Sequence, residues 1–322
     1  KATVKVKASL GGSNRAVRDY DRVSTDQYFE LYWEALRNQY AKSADYTPAT
    51  AAAQASKDLF TKLMGGGPNP YGPQYAQPVG TDGKLVADAR PLWNSDWSDA
   101  MEQQALRTEL NLSVSGGGKA NQYFFSAGYL NDKGIALESG YQRFNLRLTN
   151  KLKVFDNFAI ESVIAYNRQD QIAPSQLNKT LTSSYPQPGL PASTMDGKPY
   201  SWGTWLSPIW FAELGGDNQL KVSEINISEK FTYNINKHLD VVANLGYNSG
   251  VASRDIKKMA ITSYNYAGTK INTKADGYKQ EESSYEKTSS RTDFYSMAGY
   301  VDYHNTFAQH HNVSAMLGAQ YE

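Results

Sequence analysis

Alternation of apolar and polar residues is the main pattern in this chain, and it predicts β-strands. Between residues 3 and 10, Val, Ala and Leu at even positions alternate with Lys and Ser at odd positions. Because successive side chains of a strand point to opposite faces, such a segment has one apolar and one polar face. The pattern predicts nine strands, at about 3–10, 106–115, 121–130, 141–153, 158–170, 219–235, 239–253, 291–304 and 310–321.

Helical spacing replaces this alternation in the long segment after the first strand. Ser24 followed by Gln27 forms a capping-box signature, and aromatic and apolar residues then recur every three to four positions. We predict a helix over about 25–41. A second helix is predicted to begin at Thr47-Pro48, with Pro in its first turn, and to run to Leu63 before three glycines.

The connections between predicted strands alternate strictly in length. Long connections at 11–105, 131–140, 171–218 and 254–290 alternate with short turns at 116–120, 156–157, 236–238 and 305–309. An up-and-down antiparallel sheet produces this order, and transmembrane β-barrels have short periplasmic turns and long extracellular loops. The long segments are therefore predicted to be extracellular loops, the first with two short helices. Nine strands is an odd number, so residues 1–322 are predicted to form the N-terminal part of a larger barrel domain.

The spacing of aromatic residues fits the thickness of a membrane. An apolar residue is followed by Tyr eight positions later on the same face at Phe158 and Tyr166, and again at Val313 and Tyr321. Eight residues at a tilt near 40° rise roughly 20 Å, close to the apolar band of about 25 Å. We predict that Leu146, Leu148, Ile160, Ile164, Val241 and Leu245 face lipid, with Ser162 as an exception. The side chains predicted to face the lumen include Arg147, Glu161 and Asn244.

Composition excludes several other classes of protein. The chain is 12% aromatic with 23 Tyr, yet its mean hydropathy is −0.60, and no stretch approaches the roughly 18 apolar residues of a membrane-spanning helix. The net charge of +1 without basic clusters argues against nucleic acid as a partner. With no cysteine, the chain has neither disulfides nor thiolate metal sites.

Several passages resemble the SusC/RagA-type TonB-dependent transporters of Bacteroidetes, and a hairpin is the most specific of them. The matching passages are Asn111–Gly117 with Tyr123–Tyr129 and Lys133–Ile135, then Tyr141–Arg147, Asp26–Tyr32 and Ser207–Ile209. The resemblance implies an outer-membrane barrel of 22 strands that contains a plug domain. It also implies energy from the TonB complex, which acts through the plug, and a SusD-like surface lipoprotein as partner.

The resemblance also places this chain within the longer family pattern. No passage matches the plug or the TonB box, and the chain opens directly on a predicted strand, so we expect no signal peptide within it. We therefore expect a piece of a longer precursor that begins just after the plug and ends before the barrel closes.

The most promising binding residues are aromatic and lie in the second long loop. Trp202, Trp205, Trp210 and Phe211 fall within ten residues of one another, where exposed rings could stack on a sugar or contact a peptide or the lipoprotein. The alternative is that these rings only pack the loop on itself.

No motif in the sequence supports catalysis, a cofactor or a metal. Of the four histidines, His310 and His311 are adjacent and would point to opposite faces of a strand. We therefore expect a transporter for a bulky nutrient, an oligosaccharide or a peptide, rather than an enzyme. Two alternatives stay open at this point, which are a passive porin-like channel and a surface adhesin or carbohydrate-binding β-protein.

Overall fold

The structure is a computed structural model of the chain. It describes residues 2–16, 22–63, 75–76, 90–177, 187–202, 205–265, 268–271, 282–307 and 310–322, with the backbone alone at positions 62, 63, 75, 76, 90, 98, 202 and 205. The glycines predicted to end the second helix, at 65–67, lie outside the described residues, as does most of the segment between 64 and 89.

Nine strands form one antiparallel sheet in which each strand pairs with the next one along the chain. The prediction of an up-and-down sheet is therefore confirmed. The sheet strands are β1 (Thr3–Ser13), β2 (Ala105–Gly117), β3 (Asn121–Lys133), β4 (Gly140–Phe155), β5 (Phe158–Pro174), β6 (Asp217–Asn236), β7 (Leu239–Lys258), β8 (Ser284–Phe307) and β9 (His311–Tyr321).

Consecutive connections lie at opposite ends of this sheet, which we call the short-turn end and the long-loop end. At the short-turn end, Gly117 has a φ of 137°, and a Cβ there would lie 2.2 Å from the carbonyl oxygen of Asn121. Glycine is therefore required for this tight turn. Lys237 lies at the same end, whereas Met195 lies in a connection at the long-loop end.

The strands extend further toward the long-loop end than the apolar alternation predicted. β8 begins at Ser284 instead of 291, and β7 ends at Lys258 instead of 253. Backbone hydrogen bonds between strands do not require apolar side chains, so the pairing continues where both faces become polar. As a result, the connections are shorter than the predicted loops, at 14–104, 175–216 and 259–283.

The register places the apolar residues of neighbouring strands on one face, which we call the apolar face. Leu148 lies opposite Phe125 and Ile164, and Ile164 lies opposite Ile227. Leu148, Ile164 and Leu245 are 42%, 41% and 44% exposed in the isolated chain, as expected for residues that contact lipid. The other three predicted lipid-facing residues share this face and are partly exposed, namely Leu146, Ile160 and Val241.

Charged and amide side chains occupy the opposite face, which we call the polar face. Glu161 lies opposite Lys151 and Lys230, with its carboxylate 3.9 Å from Lys151 Nζ. Arg147 and Asn244 share this face with Glu161, in agreement with the prediction. Soluble antiparallel sheets bury their apolar face, whereas here the apolar face is exposed and the other face is polar, as in the wall of a water-filled transmembrane barrel.

Aromatic side chains border the apolar face at both its long-loop and its short-turn edge and form an aromatic girdle at each. The Tyr247 and Tyr295 rings stack with their centroids 4.9 Å apart, and Tyr303 lies eight residues beyond Tyr295 on the same strand. This spacing repeats the interval from Phe158 to Tyr166. Tyrosine rings concentrate at both interfaces of a barrel membrane band, and the two girdles follow that rule.

The two predicted helices are confirmed as α1 (Thr25–Ala41) and α2 (Pro48–Leu63). Both hydrogen bonds of the capping box between Ser24 and Gln27 are present. α1 packs against α2, with Phe29 buried between them and Trp33 Nε1 donating to Ser56 Oγ at 3.0 Å. Within the described part of the chain, no helix has the length and apolar character needed to cross a membrane.

Candidate functional site at the long-loop end

Parts of three connections at the long-loop end form one folded unit, which we call the loop cluster. It comprises the described residues of 93–103, 187–202, 205–216 and 259–265. Ser95 joins the first part to the second, because its amide donates to Pro188 O and its hydroxyl to Leu190 O, both at 2.8 Å. The amide of Tyr264 joins the third part to the second through Pro199 O, also at 2.8 Å.

Two small apolar cores stabilise the loop cluster. One contains Trp97, Leu190 and Tyr200, with Tyr200 fully buried. The second contains Leu206, Phe211 and Ile261, and Trp210 packs against it. Each core draws on different connections, so burial of these side chains orders the loops relative to one another.

The predicted aromatic residues all lie in this cluster, in different environments. Trp210 belongs to the short helix α4 (Pro208–Glu213), where it is partly buried and donates through Nε1 to Ala192 O at 2.7 Å. Phe211 is only 3% exposed and packs in the core. The backbones of Trp202 and Trp205 pair in a two-residue hairpin, and their side chains lie outside the described residues. The other short helix, α3, spans Trp97–Ala100.

An exposed tip projects from the second part of the cluster. Met195 is 75% exposed at its apex. Beneath it, the Asp196 carboxylate accepts from Thr194 Oγ1 at 2.5 Å and from Lys198 Nζ at 2.5 Å. The Lys198 ammonium also lies 5.1 Å from the centre of the Tyr264 ring. These contacts fix a solvent-exposed methionine on an ordered turn, which the sequence did not single out.

The charges at the tip shift the pKa of both ionised groups. Hydrogen bonds from Lys198 and then Thr194 lower the pKa of Asp196 below its ordinary value of 3.8. Conversely, the hydrogen bond to Asp196 raises the pKa of Lys198 above 10.5. Both side chains are solvent-exposed, so this pair orders the tip without contributing much to the stability of the barrel.

Three polar side-chain atoms inside the cluster are buried and lack a partner among the described residues. These atoms are Trp93 Nε1, Gln187 Oε1 and Ser207 Oγ. Buried polar groups are normally hydrogen-bonded, and such exceptions are common at sites where a water or another molecule binds. Trp93 therefore joins the candidate residues, whereas the sequence alone ranks Trp93 and Trp97 below the aromatic residues of the second long loop.

The described residues contain no group of three or more His, Cys, Asp or Glu side chains placed to hold a metal ion. His238 and His304 meet through a contact of 3.0 Å between the His238 ring and the His304 carbonyl. That contact uses one ring and one backbone atom, and it joins the turn between β6 and β7 to β8 at the short-turn end.

Sequence comparison finds relatives among outer-membrane receptors. The "TonB-dependent receptor P39" of Formosa agariphila is 30% identical over 140 residues, which are 43% of this chain and 12% of that protein. The "TonB-dependent receptor SusC" of Bacteroides thetaiotaomicron is 39% identical over 61 residues, which are 19% of this chain and 6% of that protein. No protein-family model matches the chain.

Comparison with solved structures finds the same architecture across the chain. A structure of the RagAB peptide transporter matches 99% of this chain with a TM-score of 0.62 and 15% identity. The RagAB peptide importer in its open-open state matches with a TM-score of 0.68 and 15% identity. Each alignment covers 34% of the larger chain. The nine strands therefore have the fold of part of a larger outer-membrane barrel, and the chain spans about a third of these structures.

Proposed function

We propose that this chain, a barrel segment of a SusC/RagA-type TonB-dependent transporter of the bacterial outer membrane, serves the energised import of a bulky nutrient. The nutrient is an oligosaccharide or a peptide, and the long-loop end faces the outside of the cell. In this proposal a plug domain and the TonB complex supply energy coupling through parts of the protein beyond residues 1–322. A SusD-like lipoprotein associates with the loop cluster.

The proposal rests on two features taken together. The sheet has an exposed apolar face and an opposite polar face, and the loop cluster at its long-loop end is ordered. A wall that is apolar outside and polar inside separates lipid from a wide aqueous passage. Loops that were only connectors would not need two apolar cores and hydrogen bonds between segments 90 residues apart, such as that from Trp97 Nε1 to Gln187 O. Long ordered loops at a channel mouth are usually functional.

The relatives favour a large solute over a small ion. The two structural neighbours are described as a peptide transporter and a peptide importer, and one sequence relative is named SusC. Aromatic side chains at the mouth suit both candidate substrates, because their faces stack on sugar rings and anchor peptide side chains.

The test is uptake by intact cells that produce the full-length transporter. Fluorescent oligosaccharides and peptides are offered to cells with and without a functional TonB protein, with equal amounts of folded transporter at the surface. We expect uptake of one substrate class to require both the transporter and TonB. Uptake that continues without TonB would identify a passive channel, and uptake of neither class would refute the proposed substrates.

A further inference from the structure

A recess lies on the apolar side of the wall, just beyond the aromatic girdle toward the long-loop end. Its volume is about 560 Å³. One row of its lining crosses four strands through directly paired residues, from Asn131 to Gln142, Asp170 and Lys221. The register gives these side chains the same orientation as Leu148 and Ile164, so the row faces outward from the barrel.

The depth of the recess corresponds to the headgroup layer of a membrane. Arg168 and Asp170 follow Tyr166 by two and four residues on β5. At 3.3 Å per residue and a tilt near 40°, they lie about 5 and 10 Å beyond the Tyr166 ring along the membrane normal. Phe144, directly opposite Arg168, marks the same boundary on β4. The recess therefore begins where the hydrocarbon band ends.

The lining is rich in groups that bind phosphate. Three basic side chains line the recess, those of Lys133, Arg168 and Lys221, together with the acidic side chains of Glu138 and Asp170. Asp170 accepts from Arg168 Nε at 3.1 Å, which orients the guanidinium. Among the described residues, neither Lys133 nor Lys221 forms an ion pair with a carboxylate. Ammonium and guanidinium groups are the usual ligands of phosphate oxygens.

The shape of the recess depends on two backbone features. Gly140 lies between Lys133 and Ile172 in the next paired row, and its missing side chain leaves space beside Ile172. Above it, the turn at 134–139 is held by Gln103, whose side-chain NH2 group lies 2.9 to 3.1 Å from three backbone carbonyl oxygens and shares its two hydrogens among them. The recess is therefore shaped by ordered backbone, at Gly140 and in the turn at 134–139, and not only by the positions of side chains.

We propose that this recess binds the phosphate-bearing headgroup of a glycolipid in the outer leaflet of the membrane. The basic groups contact the phosphate, and Phe144, Tyr166 and the apolar face below them contact the acyl chains. A soluble phosphate would gain nothing from that apolar surface. A transported solute would not reach the recess, because it lies outside the lumen. The inference rests on the proposed orientation of the barrel and is independent of transport.

The test compares two pairs of substitutions in the intact, purified transporter. Arg168→Gln with Lys221→Gln removes two basic groups from the recess. Arg143→Gln with Arg147→Gln is the matched control, because these residues lie on the polar face of the neighbouring strand. Binding is measured by native mass spectrometry with phosphorylated lipid A, the same lipid after phosphatase treatment, and inorganic phosphate. Retained heat-modifiable mobility on gels identifies folded protein.

We expect the recess variant to bind phosphorylated lipid A about 30-fold more weakly than the parent, since each basic residue contributes a factor of roughly five at an anionic lipid surface. The control should bind like the parent, and the dephosphorylated lipid should bind weakly to all three. If the double variant does not fold, Lys221→Gln alone should weaken binding about five-fold.

Three results would overturn the inference. One is equal binding of the lipid by parent and recess variant. The second is an equal loss in the lumen control, which would indicate attraction by overall charge. The third is displacement of the lipid by inorganic phosphate at the same concentration, which would identify a site for free phosphate. None of these measurements depends on uptake, so failure here and failure of the transport proposal are distinguishable.

Discussion

Ser162 Oγ donates a hydrogen bond to a carboxylate oxygen of Glu229, 2.6 Å away, in the middle of the apolar face. Ser162 lies between Ile160 and Ile164 on β5, four residues from each end of the interval between Phe158 and Tyr166. Ionisable side chains are costly at this depth of a bilayer and normally have a partner. The pair therefore accounts for the exception at Ser162, because the hydroxyl serves as a donor to a neighbouring carboxyl group.

Replacing Ser162 by Ala should destabilise the barrel, because Glu229 would lose its donor in a hydrocarbon environment. We expect a loss of about 1 to 3 kcal/mol in the free energy of unfolding, measured by urea titration in lipid vesicles. Replacing both residues, with Ser162→Ala and Glu229→Leu, should recover that loss. Ser228→Ala, on the polar face of β6, is the control. A double variant no more stable than Ser162→Ala would contradict this account.

An arginine introduced on the apolar face should hinder assembly to a degree set by its neighbours. Leu148→Arg places a charge between Phe125 and Ile164 and should cost about 2 to 4 kcal/mol near the midplane. Leu245→Arg should cost less, because Glu229 lies directly opposite and can form an ion pair. Unfolding titrations and the folded fraction on gels provide both measurements.

Thr149→Arg, one residue from Leu148 but on the polar face, is the control for the charge itself. It should assemble like the parent. If Leu148→Arg and Thr149→Arg behave alike, the assignment of the two faces is wrong.

The absence of cysteine allows a direct test of which end faces outward. Met195→Cys is at an exposed tip of the long-loop end, and Lys237→Cys is in a short turn. A membrane-impermeant maleimide added to intact cells should label the first variant and not the second. Labelling of both after the outer membrane is permeabilised shows that each thiol is accessible. The reverse pattern in intact cells would invert the proposed orientation.

The tip around Met195 should lose its order in acid and in strong base. The pKa of Asp196 is lowered in the folded loop, so its stabilising contribution is present above 3.8 and is lost as pH falls through the lowered value. The pKa of Lys198 is raised, so its contribution is present below 10.5 and is lost as pH rises through the raised value. Hydrogen exchange at the Gly197 amide, which donates to Thr194 O, reports this change.

Asp196→Asn tests the predicted loss of order in acid, because the amide cannot be protonated in this pH range as the carboxylate can. The tip of this variant should exchange faster than that of the parent near neutral pH and show no further acceleration in acid beyond the intrinsic rate. A parent protein whose corrected exchange at Gly197 does not change between pH 6 and about 3 would contradict the role of the Asp196 carboxylate.

Periodicity was sufficient to predict the wall and the two helices, but not how the loops pack against one another. Strand alternation and the capping box are local signals, so the sheet order, its two faces and both helices followed from sequence. The contact of Ser95 with Pro188 joins segments that are distant in the chain and carry no repeating pattern. Similarly, the burial of Phe211 depends on Ile261, and the outer recess depends on the register of four strands. A sequence pattern gives the face of a strand and leaves its partner residue undetermined.

The loop-cluster aromatics remain the candidate contact for a nutrient or the lipoprotein, and the structure divides them into two groups. Trp210 and Phe211 pack within the cluster, and the Trp210 indole is held by Ala192 O. Their proposed role is to keep the mouth ordered. The hairpin that carries Trp202 and Trp205 is next to these residues along the chain, and we predict that its rings make the contact.

Four variants separate contact from packing in cells with equal surface levels of the transporter. With Trp202→Ala and Trp205→Ala together, we expect uptake or lipoprotein association to fall at least several-fold, because alanine removes the stacking and anchoring faces. Trp210→Ala should instead loosen the cluster and increase protease cleavage within 187–216. Trp210→Phe retains most of the packing area but lacks the indole donor, so it should show a smaller increase. If even the triple Trp→Ala variant leaves both uptake and lipoprotein association unchanged, the aromatic residues only pack the loop.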